Sequence, residues 1–252
     1  MRFTYLFFLL NILIFFSCKH EKQLLLKVEA TKIEITDSLK NNTEIEAFIK
    51  PYRDHINKDL DSVLAYSIDT YSKSDGKLNT ALGNFMTDAI YEEVDPVFNK
   101  QTGNHIDAVI LNHGGIRSIL PKGPVSARNA FQIMPFENEI VVVGLKGDRI
   151  QSIIDYLIER KRAHPIRGLQ LTLDKDFNLI SAKINNEKID KNKTYYFATS
   201  DYLYNTGDNM TFFQPNESFH IINYKIRNVL IDHFKKVDTI RPVRDDRFIR
   251  RN

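Results

Sequence analysis

The chain has 252 residues, 42% hydrophobic and 27% charged, with a formal net charge of +3. Such a composition is ordinary for a soluble globular protein, and the length allows one large domain or two small ones. A charge this small does not argue for nucleic acid, and the basic C-terminal stretch RPVRDDRFIRR is more simply a solvated tail. There is no tryptophan, no internal repeat and no low-complexity tract.

At the N-terminus, Met1-Arg2 precedes an apolar run from Phe3 to Phe16 that ends in Ser17-Cys18-Lys19-His20. The run is too short for a comfortable membrane span. Cys18 is the only cysteine, so an internal disulfide is excluded. The pattern resembles a bacterial lipoprotein signal, although Phe15-Phe16 departs from the usual leucine and small residue. The resemblance implies a signal peptide over 1–17, lipidation of Cys18, a tether over 18–30 and a domain over 31–252. It places the protein in the bacterial cell envelope, extracytoplasmic and held to the membrane by its lipid alone.

Lys32–Thr36 alternates and predicts a short strand. Thr43 and Glu46 have capping-box spacing, and Ile45, Phe48, Ile49, Tyr52, Ile56 and Leu60 recur at helical spacing. The spacing predicts a helix from Asn42 to about Leu60, kinked or split at Pro51. Leu64–Ser67 reads as a strand and Asp69–Asp75 as a loop. Leu82, Phe85, Met86, Ala89 and Ile90 trace one helix face, with Gly83 permitting close packing. Asp107–Leu111 reads as a buried strand, and Ser126–Ile133 as a short helix or turn with Ser126 as cap. Glu139–Leu145 is a strand, followed by a helix over Gly147–Arg160. Gly168–Leu173 and Leu179–Ile184 form a hairpin, Tyr195–Thr199 a further strand, and Asn223–Lys235 a last amphipathic helix. Strands and helices alternate without βαβ regularity, which favours an α+β fold over a doubly wound sheet.

The segment Ile110–Asn138 stands out. A strand feeds Asn112-His113-Gly114-Gly115, whose adjacent glycines let the backbone adopt φ > 0 and let a ligand approach closely. Arg117 follows, able to present a planar fork to phosphate or carboxylate. Met134-Pro135-Phe136 then supplies an aromatic held by a proline. On the residues alone, this is either an anion-friendly turn beside an aromatic platform or a plain tight turn with a solvated arginine.

Motifs along the chain resemble the C-terminal domain of the 5'-nucleotidase family. They are Leu82-Gly83-Asn84 with Asp88-Ala89, Asn112 to Arg117, Pro135 to Asn138, Leu145 to Gly147, Gly168-Leu169, and Tyr202 to Asp208, in the family's order. The resemblance implies a single layered α+β domain, with mixed sheets flanked by helices, that binds a nucleotide. By it, Phe136 and Tyr202 sandwich the base, Asp208 accepts from the ribose hydroxyls, and Arg117 meets the phosphate beside Asn112, Gly114, Gly115 and Asn138. The backbone at Gly168 lies near the base in some members. Three departures follow. His113 replaces the first of three usual glycines and can donate to a phosphate or point to solvent. Thr206 and Asn209 stand where glycine is common. Leu78, beside Lys77, stands where some members carry a phosphate-binding arginine.

Hydrolysis in this family needs two metal ions that clamp the attacking and leaving oxygens and activate a water. None of the seven histidines forms a His-x-His, Asp-x-His or Asn-His-Asp/Glu pattern, and no Ser-His-Asp or Cys-His set is evident. No catalytic or metal residue is therefore expected in the chain, and there is no room before residue 43 for the family's metallophosphatase domain. The divalent metal pair is expected in a separate metallophosphatase subunit. The reading is the nucleotide-binding part of a split 5'-nucleotidase-type hydrolase in nucleotide catabolism, inactive alone. The alternative is a non-catalytic nucleotide- or nucleoside-binding envelope lipoprotein.

Overall fold

The computed structural model describes residues 27–251. The expected signal peptide and Cys18 lie outside the described residues. By its contacts the chain divides into two units, Met1–Ile49 and Lys50–Asn252. In the first, residues 27–42 are exposed and carry no helix or strand. The strand expected at Lys32–Thr36 does not form, since alternation without a neighbouring strand leaves its backbone to water.

Helix α1 (Thr43–Asp61) contains Pro51 yet is one helix, not two. It buries none of its residues, and Ala47, whose carbonyl Pro51 leaves without its helical donor, is exposed to water. The cap is Asn42 rather than Thr43, because the Asn42 side chain accepts from Glu44 N at 3.0 Å and Ile45 N at 3.1 Å.

The second unit is α+β, with three sheets. Strands β1 (Val63–Ser67), β3 (Gly123–Ser126) and β11 (Thr239–Ile240) form the first, in the order β11-β1-β3. The second, β10-β4-β9-β2-β5, combines β2 (Ala108–Ile110), β4 (Glu139–Lys146), β5 (Ile166–Arg167), β9 (Thr194–Ser200) and β10 (Ser218–Lys225). The third, β12-β6-β7-β8, combines β6 (Leu169–Leu173), β7 (Leu179–Ile184), β8 (Glu187–Lys188) and β12 (Phe248–Arg250). Val141, Val142 and Val143 of β4 are all buried, so this strand is covered on both faces.

Helix α2 (Ala81–Thr102) is longer than its sequence pattern suggested and continues through Pro96 to Gly103, whose φ of +76° closes it. Thr80 caps its start, accepting from Gly83 N at 3.1 Å. Its buried face, with Leu82, Met86, Ile90, Val94 and Phe98, belongs to the core. The remaining helices are α3 (Ala127–Ile133), α4 (Ile150–Arg160), α5 (Asp201–Tyr204) and α6 (Ile226–Lys236). Ser126 stands at the N-cap of α3, where the Asn129 side-chain oxygen accepts from its backbone N at 2.8 Å. The last helix starts later than expected, because residues 218–225 pair with β4 as strand β10, an edge whose alternation is too weak to read beside a helical run. Among the described residues no helix is long and apolar enough to cross a membrane.

Candidate functional site

Sheet register assembles the site. β2 runs parallel to β9, with Ala108 opposite Phe197 and Val109 opposite Ala198, so both strands leave the sheet at the same end. β4 runs antiparallel to β9 with Ile140 opposite Ser200, so β4 enters the sheet there. Just beyond that end lie Asn112–Arg117 after β2, Pro135–Asn138 before β4, and Tyr202–Asp208 after β9. Three segments remote in sequence thus meet at one mouth. A cavity of about 350 Å³ opens there, lined by Asn112, Gly114, Gly115, Arg117, Phe136, Asn138, Tyr202 and Asp208.

Residues 113–115 form one 3-10 turn, with Gly115 N bonded to Asn112 O at 3.1 Å. Arg117 N donates to Ile133 O at 2.9 Å, which fixes the turn to the end of α3. The Arg117 side chain is exposed, its guanidinium carbon 5.8 Å from the Phe136 ring centroid. Lys73 from the loop after β1 donates to Ile116 O at 2.7 Å, bringing a second cation beside the turn. No motif marked Lys73, because only the fold brings its loop to residue 116.

Phe136 and Tyr202 are 39% and 50% exposed, so neither ring is a core residue. Arg227 of α6 holds the Phe136 segment. It lies over the Phe131 ring at 4.1 Å, pairs with Glu137, and approaches the Pro135 and Phe136 carbonyls at 3.5 Å. Lys225 first, and then Arg227, hydrogen-bonds Glu137 and pushes its carboxyl down to about 2. Asn138 O accepts from Ile226 N at 3.1 Å. On the other side, the Asp201 carboxylate accepts from Glu139 N at 3.1 Å, which ties the start of the Tyr202 turn to β4.

That turn is strained. Thr206, Asp208 and Asn209 have φ of 68°, 56° and 60°, the left-handed region that is costly for a β-branched threonine. Gly207 between them is required, since a Cβ there would stand 2.5 Å from the Tyr202 ring. The Asp208 carbonyl accepts from Tyr156 Oη at 3.0 Å and Arg160 at 3.3 Å, while its exposed carboxylate makes no hydrogen bond or ion pair among the described residues.

His113 turns inward. Its Nδ1 lies 3.3 Å from Ala163 O, and its backbone N donates to His164 Nδ1 at 3.3 Å. Burial lowers the His113 pKa and pushes that of His164 down to about 4. His164 Nε2 is buried with no hydrogen-bond partner among the described residues.

Gly168 does not line this cavity. It faces a separate one with Asp107 and Arg167, and its φ of +76° together with the Asp107 carbonyl, 2.0 Å from where a Cβ would sit, explains the glycine. Lys77 and the buried Leu78 line yet another cavity.

The family model described as 5'-nucleotidase, C-terminal domain matches residues 60–215. The chain belongs to this family. An apyrase from Tabanus yao is 21% identical over 246 residues, 89% of this chain and 44% of that protein. Protein UshA of Escherichia coli (strain K12) is 31% identical over 108 residues, 40% of this chain and 19% of that protein. A 5'-nucleotidase precursor from Thermus thermophilus has the same fold, with a TM-score of 0.69 at 19% identity, covering 83% of this chain and 43% of its own. The chain therefore spans less than half the length of these proteins. Among the described residues of this 5'-nucleotidase C-terminal domain, no three His, Cys, Asp or Glu side chains are grouped to hold a metal ion. Those residues do not fit a dinuclear centre, which needs clustered donors.

Proposed function

We propose that this chain is the nucleotide-binding part of a split 5'-nucleotidase-type hydrolase, whose metallophosphatase part is a separate subunit. The observation that carries this is one cavity that joins two exposed aromatic rings, an unpaired carboxylate and a guanidinium. A base between Phe136 and Tyr202 gains roughly 1–3 kcal/mol from stacking. The Asp208 carboxylate accepts from the ribose hydroxyls, with Gly207 leaving room for the Tyr202 ring beside it. Arg117 takes the phosphate in a bidentate fork, with Asn112 and Asn138 beside it and Lys73 adding charge from behind the turn. The chain binds and orients the ester, and the metal pair of the partner activates the water. Lipidated Cys18 keeps the protein at the cell envelope.

Calorimetry with adenosine and AMP tests the pocket: binding is expected in the parent and lost in Phe136→Ala and in Tyr202→Ala. Variants that bind like the parent refute the sandwich. Mixing the chain with a metallophosphatase that lacks its own C-terminal domain tests the split enzyme, for which AMP hydrolysis should appear only in the mixture. Nucleotide binding without gained hydrolysis would leave an envelope lipoprotein that captures nucleotides without cleaving them.

A further inference from the structure

A second cavity, of about 630 Å³, shares no lining residue with the first. Leu78, Phe248 and Ile249 give it apolar surface, and Lys77, Lys161, Arg244 and Arg250 also line it. Its one carboxylate, Asp245, is already engaged. Arg247 grips both oxygens, Nε at 2.8 Å from Oδ1 and Nη2 at 2.7 Å from Oδ2, and Asn79 donates at 3.2 Å. Lys77, Lys161 and Arg250 make no ion pair among the described residues, and Arg244 spends one nitrogen on the Asp75 carbonyl at 2.7 Å. Four cations thus converge without a free counter-charge.

The backbone provides an independent observation. Lys161 closes α4 at φ 50° and ψ 37°, and Phe177 closes the β6–β7 turn at φ 68°. Glycine takes both conformations without strain, whereas a lysine and a bulky phenylalanine do not. Two strained residues from separate turns line this one cavity. The Phe177 ring holds Lys161 Nζ at 4.5 Å and Arg250 Cζ at 4.7 Å from its centroid, so it gathers cations and does not present itself to a base.

We propose that this cavity binds a small oligophosphate of the pyrophosphate or triphosphate class. A multiply charged anion cancels the converging positive potential, with the arginines supplying planar forks and the lysines point charges. The site goes beyond the nucleotide reading and does not depend on it.

Inorganic tripolyphosphate, titrated calorimetrically into the full chain, tests this against Lys161→Gly, Arg250→Gln and Arg117→Ala. Saturable binding is expected, weakened about tenfold by Lys161→Gly and by Arg250→Gln and far less by Arg117→Ala, whose fork serves the other cavity. Lys161→Gly should also raise the melting temperature, because glycine relieves the left-handed cap, so lost binding cannot be lost folding. Absence of saturable binding overturns the proposal. So does binding that survives Lys161→Gly and Arg250→Gln but fails in Arg117→Ala, which would assign the anion to the glycine-turn cavity. Adenosine binding by the same variants reports separately on the nucleotide pocket.

Discussion

Acidification should loosen the fold through His164. This imidazole is 4% exposed, accepts from the His113 backbone through Nδ1, and leaves Nε2 without a partner among the described residues. It is packed edge-on against Tyr156 at 5.3 Å, with Asp208 opposing and His113 and Arg160 reinforcing the effect of burial. Burial dominates, and the pKa falls from 6.5 to about 4. The folded state therefore refuses a proton that the unfolded chain accepts. Stability from this group is complete above the unfolded value and is lost as the pH falls through that window to the folded value. At 1.36 kcal/mol per unit, the difference is about 3 kcal/mol. A charged His164 would also turn an N–H towards the His113 N–H, opposing two donors beneath the turn that carries Arg117. Urea unfolding from neutral to mildly acid pH, for the parent and for His164→Asn, measures the effect. Asparagine keeps a carbonyl acceptor for the His113 N–H and does not titrate. The parent should lose stability more steeply than the variant, by about 3 kcal/mol across the window. Equal slopes would refute the assignment.

Replacing Arg117 or Lys73 by alanine should weaken AMP by about 1–2 kcal/mol while changing adenosine little, as calorimetry can check; equal losses would make either residue structural. Thr206→Gly should stabilise the Tyr202 turn by about 1 kcal/mol in thermal unfolding, since the left-handed φ of 68° penalises a β-branched residue. Arg247→Ala should destabilise by about 2–4 kcal/mol, read in chemical denaturation. Its mostly buried guanidinium joins Asp88 at 3.0 and 3.1 Å, Asp245, and the Ile166 carbonyl at 2.9 Å, tying the C-terminal segment to α2.

The resemblance of ordered motifs reached the family and named all eight residues that line the cavity, because short segments such as Asn112–Arg117 and Tyr202–Asp208 keep their pattern in primary order. Several elements were not legible. β10 is an edge strand whose existence depends on β4 beside it, and the expected strand at Lys32–Thr36 has no such neighbour. Asn42 displaced Thr43 as cap because capping is settled by which side chain reaches the first amides. Gly168 lines a different cavity, and the Asp107 carbonyl just before β2 leaves no room there for a Cβ.

Local chemistry sufficed for the periodic helices and for the strand at Glu139–Leu145, since these depend on near neighbours in the chain. The tertiary structure alone decided the rest. Lys73 reaches the Ile116 carbonyl across a separation of 43 residues, and Arg227 reaches Glu137 across 90. It likewise brought Lys161, Phe177 and Arg250 together around one cavity. Contacts between remote residues depend on strand register and packing, and no local pattern encodes either.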